Sequence, residues 1–503
     1  MKKLIAACLL ILPLTTSSQV SRLGEDVAYK AELTGAVSNG SHMPFWFTSN
    51  RYGLGSIHDN YGYLRGQILR DTQSDSLRNW RVGYGVDAVA AAGMDNHVVL
   101  QQLYAEVQWR MLRLSLGQKE RPLELKNQLL SSGGMTTGIN ARPVPQLRLE
   151  IPDFWTVPGT KGWFALKAHL AYGAYTDNGW QRKFTKDTNY KYSANSLYHT
   201  KALLLRIGNT EKLPITLSGG LEMSTQFGGE AWNLTDRMDH ASADEFSSHQ
   251  KLPKDIKAYW HALIPGGNDV NDGDYSNAEG NHVGSWHLRL DGEWQDWKLG
   301  LYAEHFFDDH SQMFLQYPWK DMLYGGELHF PQNPFVTDIV YEHLRTTHQS
   351  GPIYHDGTQN MPDEIFGNDD YYNHQIYGAW QHAGFGMGHP LLLSPIYNES
   401  HEICVADNRI TAHHIGISGD PYQGISYRIL FTHERSLGRY YTPRINPVHG
   451  NYFMAEATLT PAIFIPALSR GLTLTIAYGQ NGGSMLAKSK GALLTIAYRG
   501  HTK

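Results

Sequence analysis

Apolar and polar residues alternate along this chain, segment after segment. In Trp286-His287-Leu288-Arg289-Leu290-Asp291-Gly292-Glu293-Trp294, one side carries Trp286, Leu288, Leu290 and Trp294, and the other His287, Arg289, Asp291 and Glu293. Successive side chains of a strand point to opposite faces, so a period of two predicts a strand with one greasy and one wet face. Leu103, Ala105, Val107 and Trp109 oppose Gln102, Tyr104, Glu106 and Gln108 in the same way. Leu112, Leu114 and Leu116 follow, with Arg110-Met111 read as a tight turn between the two strands. Phe164–Tyr172, Leu299–Ala303, Ile425–Phe431 and Phe453–Leu459 repeat the pattern. Such strands suit water inside and hydrocarbon outside. The predicted fold is all-β, a transmembrane antiparallel β-barrel of about 18 strands (roughly 16 to 18), with long extracellular loops. A soluble sandwich or propeller also alternates. Two features count against it: apolar outward faces in nearly every strand, and connections that run alternately short and long.

The last two strands form the plainest hairpin, Leu472–Tyr478 and Leu494–Tyr498, which share the string Thr-Ile-Ala-Tyr. Four stretches are too long for turns: 119–144, 174–199, 225–282 and 346–408. Long loops without structure of their own are usually functional. The first, rich in Gly and amides, is a candidate for folding inward or over the mouth.

Composition fits this picture. Of 503 residues, 41% are apolar, and 29 Tyr and 13 Trp suit aromatic girdles at membrane interfaces. Net charge is −5 without a Lys/Arg block, which gives no reason to expect nucleic acid. Lys2-Lys3, the apolar run Leu4–Leu14 and Thr15-Thr16-Ser17-Ser18 read as a signal peptide over 1–18, leaving 19–503 as one barrel domain. Cys8 faintly resembles a lipoprotein site, but the apolar run continues past it. After cleavage Cys404 alone remains, too little for an internal disulfide or a thiolate metal site. No later stretch is long and apolar enough for a membrane helix.

Candidate chemistry is sparse. Asp269, Asn271, Asp272 and Asp274 carry hard oxygen ligands, but their spacing misses the calcium-loop pattern, and a solvated turn explains them. His413 and His414 are adjacent, so on a strand they face opposite ways and cannot share a metal. We find no nucleophile elbow, zinc-protease helix or phosphate loop. No catalytic residue, metal or cofactor is expected. The aromatics mean more. Tyr371, Tyr372 and Trp380 lie beside Asp370, Asn373 and His389, a mixture that suits stacking on sugar C–H faces and bonding to hydroxyls. Interface-belt or loop-packing roles would use the same residues. We take Asp370, Tyr371, Tyr372, Asn373, Trp380, His389 and Trp232 as candidate polysaccharide contacts. Lys183 and Lys186, with Lys191, are candidates for an anionic polymer.

The strings Arg148-Leu149-Glu150-Ile151-Pro152-Asp153-Phe154-Trp155, then Gly162-Trp163-Phe164-Ala165-Leu166-Lys167, Pro44-Phe45-Trp46 with Asn50-Arg51-Tyr52-Gly53, and Gln226-Phe227-Gly228-Gly229 together resemble the capsule assembly Wzi family. Phe306-Phe307-Asp308-Asp309 before Met313 and Asp369-Asp370-Tyr371-Tyr372-Asn373 leading to Gly388-His389-Pro390-Leu391 extend the resemblance over nearly the whole mature chain. It implies an outer-membrane barrel of about eighteen strands that acts like a lectin, attaching or organising capsular polysaccharide at the cell surface without enzymatic activity. Outer-membrane lipid, the polysaccharide and the capsule export machinery are then the expected partners of a monomer. Better-known members begin with a helical bundle that plugs the periplasmic end. Here residues 25–38 alternate as a strand, which leaves 119–144 as the candidate constriction. A porin or sugar channel, and a barrel enzyme acting on lipid or glycan, are the alternative readings.

Overall fold

The computed structural model describes residues 23–58, 60–75, 78–234, 249–265, 280–308, 320–354 and 365–502. The expected signal peptide and the acidic turn over 269–274 lie outside them. One sheet of 18 strands closes on itself. The strands are β1 Ala28–Ser38, β2 Asn60–Arg70, β3 Trp80–Ala92, β4 Val98–Trp109, β5 Leu112–Gln118 and β6 Gln146–Thr156. Next come β7 Phe164–Ala174, β8 Leu197–Ile207, β9 Ile215–Phe227, β10 Asn281–Trp294, β11 Trp297–Asp308 and β12 Met322–His329. The circle ends with β13 Asp338–Arg345, β14 Ile410–Tyr422, β15 Ile425–Gly438, β16 Pro443–Leu459, β17 Leu472–Gly483 and β18 Ser489–His501. Each pairs antiparallel with its neighbour in the chain, and β1 closes the ring: Ala28 lies opposite Leu69 on β2 and His501 on β18. Closure leaves no edge with unpaired backbone groups, which hydrocarbon does not tolerate.

Side-chain burial is inverted relative to a soluble protein. Leu33, Leu203, Leu205, Leu288 and Leu290 are 43–55% exposed, whereas Glu32, Glu106, Glu304 and Glu342 are 1–7% exposed. The leucines face outward and the carboxylates face the lumen, as the alternation predicts. Several of the charges there are paired: Arg65 with Asp87 at 2.6 Å, Lys119 with Glu106 at 2.9 Å, and Glu150 with both Arg148 at 2.6 Å and Arg113 at 2.7 Å. Pairing offsets the cost of placing ions in a narrow interior.

The two ends differ. The start of β1 and the end of β18 lie at the end where connections are short, among them 110–111, 295–296 and 423–424. Gln295 and Asp296 both take positive φ, 45° and 69°, as the tight turn between β10 and β11 requires. Aromatic pairs ring this end: Tyr29–Tyr498 and Trp80–Trp109, each with centroids 6.2 Å apart, and Trp297–Phe330 at 5.1 Å. The opposite end carries the long connections 39–59, 119–145, 175–196, 228–280 and 346–409. One helix, α1 Ile256–Leu263, lies against the outer wall near this end. Asp255 caps its N-terminus through Ala258 N at 3.0 Å, and Lys201 of β8 donates to the carbonyls of Ala262 and Leu263 at its C-terminus. Ala258 and Ala262 pack on Phe227, while Ile256 and Trp260 stay exposed.

Candidate functional site

Three of the long connections turn into the barrel instead of away from it. The core of the first, Leu129-Leu130-Ser131-Ser132-Gly133-Gly134-Met135-Thr136-Thr137, holds small, hydroxyl and apolar residues and no charge, a composition able to lie against a polar wall. It crosses the lumen from β5. Asn127 Nδ2 donates to Glu327 of β12 at 2.9 Å. Ser131 Oγ and Ser132 N donate to Glu342 of β13 at 2.7 and 2.6 Å, and Leu130 O lies 2.8 Å from Nε2 of His414 on β14. Met135 N donates to Glu304 of β11 at 2.9 Å, and Lys126 forms a buried ion pair with the same carboxylate. The approach is close: a Cβ on Gly416 of β14 would fall 2.6 Å from Leu130 O. The constriction expected over 119–144 is therefore present.

The second connection, 369–408, packs on the first. Trp380 Nε1 donates to Thr136 O at 3.0 Å, Gly138 N to Met387 O at 2.7 Å and Asn140 Nδ2 to Gly386 O at 3.0 Å. His389 Nε2 lies 3.0 Å from Ser132 Oγ, which also donates to Glu342. Gly133, at φ 146°, lets the two chains meet: a Cβ there would be 2.6 Å from Pro390 Cδ. The connection 39–59 completes the plug, with Phe45 stacked on Tyr452 at 4.4 Å and Tyr52 N donating to Ile139 O at 2.7 Å.

This arrangement revises the site expected from sequence. Tyr371, Tyr372, Trp380 and His389 are brought together, but each is at most 1% exposed. They do not form an open sugar-stacking face. Tyr371 and Tyr372 set their rings edge-on to Phe306 at 4.9 and 5.0 Å, and Tyr372 N donates to Asp308 at 2.8 Å. Asp370 is held by Arg439 Nε at 3.0 Å and by Asn408, and Asn373 exchanges hydrogen bonds with the backbone of Val405 at 2.7 and 3.0 Å. Lys191 is half-buried, donating to the carbonyls of His374 and Gln375 at 2.8 and 2.7 Å, and desolvation pushes its amine down to about 8. Lys183 and Lys186 are exposed.

What remains open is a cap at the long-loop end. A three-stranded sheet, Tyr192–Ala194, Glu230–Trp232 and His249–Lys251, places Tyr192, Trp232 and His249 opposite one another. Their rings stack at 5.1 and 4.8 Å, so both faces of Trp232 are covered and the outer faces of the stack belong to Tyr192 and His249. A short helix, α2 Trp180–Phe184, packs on this sheet, with Ser193 N donating to Gln181 Oε1 at 3.0 Å. Phe184 stacks on Trp180 at 4.5 Å and on His401 at 4.9 Å. Arg182, Lys183 and Lys186 project from the same layer. Tyr192, Phe184, His249 and His401 carry no sequence signal of this role; the nearest hint is the Tyr- and Lys-rich composition of 174–199.

Below the cap, between 119–145 and the wall, lies a cavity of about 100 Å³ lined by Arg121, Arg142, His169 and Glu222. That is smaller than the ~300 Å³ at which small-molecule pockets begin. Arg121 donates to Lys119 O and Ser115 Oγ at 3.1 and 3.3 Å, and burial, with Arg148 nearby, pushes its guanidinium down to about 9.

The plug is expected to loosen in acid. Burial, followed by the nearby Lys126 ammonium, pushes the His389 imidazole down to about 3. Its folded pKa lies below its unfolded one, so its contribution is complete above ~6.5 and is lost as pH falls toward the folded value. Lowering pH from 7 to 5 should cost the plug about 2 kcal/mol from this group. Hydrogen exchange in 369–408 is expected to accelerate over that interval, and His389→Gln to flatten the dependence.

No protein-family model matches the chain, and no curated protein is similar to it. Among solved structures it is similar to Wzi of Escherichia coli, described as an outer-membrane protein involved in group 1 capsule assembly and a carbohydrate-binding β-barrel. The identity is 11%, the TM-score 0.56, and the match covers 95% of this chain and 86% of that one. OpdK of Pseudomonas aeruginosa matches at 9% identity and a TM-score of 0.45, over 95% of this chain and 99% of its own. The likeness to Wzi shows the fold: this chain is a closed 18-stranded β-barrel of the kind found in outer membranes.

Proposed function

We propose that this protein is an outer-membrane barrel, sealed by its own connections, that holds exported polysaccharide at the cell surface by recognition without turnover. One observation carries the reading: 119–145 and 369–408 fill the lumen and leave the cap as the open polar and aromatic surface. Bacterial barrels keep short turns in the periplasm and long loops outside, which turns the cap toward the medium. The fold likeness to a carbohydrate-binding barrel supports the same reading. Weak contacts repeated along a polymer sum by multivalency, so a shallow surface suffices. The export machinery would meet the short-turn end of a monomer.

A second reading, passage of small anions, is favoured by the cavity. Among the described residues Arg121 and Arg142 form no ion pair there, and Arg142 Nε is buried without a partner.

The test is binding of polysaccharide purified from the same cells to the purified, immobilised barrel. Replacing Arg182, Lys183 and Lys186 with Ala is expected to weaken binding by at least about tenfold, because lost contacts multiply along the polymer. Unchanged binding would move the contact surface elsewhere. No binding by the unaltered protein would overturn the reading.

A further inference from the structure

The adjacent histidines split as a strand demands. His414 faces the lumen, where Nδ1 lies 2.8 Å from Thr432 Oγ1 and Nε2 meets Leu130 O. His413 faces out. Its cross-strand partners on the outer wall are His343 of β13 and His433 of β15, and His433 lies opposite Asn451 of β16. Two residues nearer the long-loop end a second row follows: Arg345, Thr411, Arg435 and His449, again mutual partners on the same four strands. The residues between the rows, Leu344, Ala412, Glu434 and Gly450, are buried toward the lumen, which fixes both rows outward. Six side chains capable of positive charge, four histidines and two arginines, thus share one patch of outer wall.

The patch is organised. The His343 and His413 rings lie 4.6 Å apart, and those of His433 and His449 stack at 5.8 Å. Tyr341 Oη is 2.8 Å from His413 Nδ1, and His433 Nδ1 is 2.9 Å from Asn451 Oδ1. Arg345 and Arg435 are exposed. Arg345 Nε donates to Thr347 Oγ1 at 2.9 Å, and neither guanidinium forms an ion pair among the described residues. Directly beneath, toward the short-turn end, the next outward row is apolar: Tyr341, Ile415, Phe431 and Phe453.

The height is informative. From Ile425 at the short-turn end of β15 to His433 is eight residues, or ~20 Å for a strand tilted by ~40°. The apolar band of such barrels is ~25 Å tall. The two rows therefore lie at the upper edge of the hydrocarbon, level with headgroups. They look sideways into the membrane, where a lipid and not a soluble polymer is the neighbour. Four strands at ~4.8 Å make the patch ~15 Å wide, the scale of a headgroup. Guanidinium groups match phosphate oxygens in pairs, and histidine adds N–H donors.

We propose that this patch binds the phosphate groups of an anionic outer-leaflet lipid; the inference rests on the outer-membrane reading above. The test places the full barrel in phosphatidylcholine nanodiscs doped with lipopolysaccharide or with its dephosphorylated form. Lipid retained per barrel after detergent extraction is then counted by native mass spectrometry. Retention of the phosphorylated form is expected to exceed that of the dephosphorylated form. R345Q/R435Q is expected to retain roughly tenfold less, and R345K/R435K, which keeps charge but loses the paired geometry, an intermediate amount. Equal retention of both lipids, or by both the unaltered and the R345Q/R435Q proteins, would overturn the proposal while leaving the membrane reading intact. Millimolar inorganic phosphate that displaces no lipid supports the assignment; full displacement would make the patch a site for free anions. A barrel that does not enter nanodiscs would overturn the membrane reading and this proposal together.

Discussion

Replacing residues 123–141 with a short Gly/Ser bridge is expected to turn a barrel that passes almost no current into an open pore. Without a plug, a barrel of this strand number encloses an aqueous channel. The excised segment supplies the crossing: Ser131 and Ser132 against Glu342, Met135 against Glu304, and Thr137 against Glu222. It also removes the Lys126 ammonium from Glu304. Three lumen carboxylates are then left facing water, and a ring of carboxylates favours cations. Discrete cation-preferring steps in a planar bilayer, absent from the unaltered protein, are the expected result. Equal conductance of the two proteins would mean that 119–145 does not seal the lumen.

The second large effect concerns Trp380, which sequence alone marks as a sugar contact. It is fully buried, bonded to Thr136 O and set 6.2 Å from the Tyr198 ring of β8. Trp380→Ala is expected to cost about 3–5 kcal/mol of plug stability, the range for emptying a buried aromatic site. Where exchange reports local opening, 3 kcal/mol corresponds to an acceleration of roughly 150-fold. Hydrogen exchange should rise by at least that factor across 369–408 while the strands of the wall stay protected. Polysaccharide binding by the cap should change little. The opposite outcome, weakened binding with unchanged exchange, would return Trp380 to the role its sequence context suggests.

The contrast between these residues and the strands shows what was legible. Trp286–Trp294 can be read because its two faces meet two solvents, and period two survives any detail of packing. The Arg110-Met111 turn, the pairing of the last two strands and the opposite facing of His413 and His414 follow from the same rule. The inward course of 119–145 shows in its small, uncharged core. Tyr371 to His389 are harder to read, because a barrel's interior is itself polar. Polar and aromatic loop residues usually signal a surface; here the same composition satisfies Asp308, Glu342 and the backbone of 132–140. The cap stacks are illegible for another reason. Phe184 and His401 lie far apart in the chain, and nothing local announces that they meet.

The proposed function is retention of polysaccharide at the cell surface by a sealed barrel. The most direct measurement deletes the gene and quantifies polysaccharide in the cell-bound and released fractions. A shift from bound to released with total synthesis unchanged, reversed by the unaltered gene, is the expected result. An unchanged distribution would contradict it and leave passage of small anions as the function to pursue.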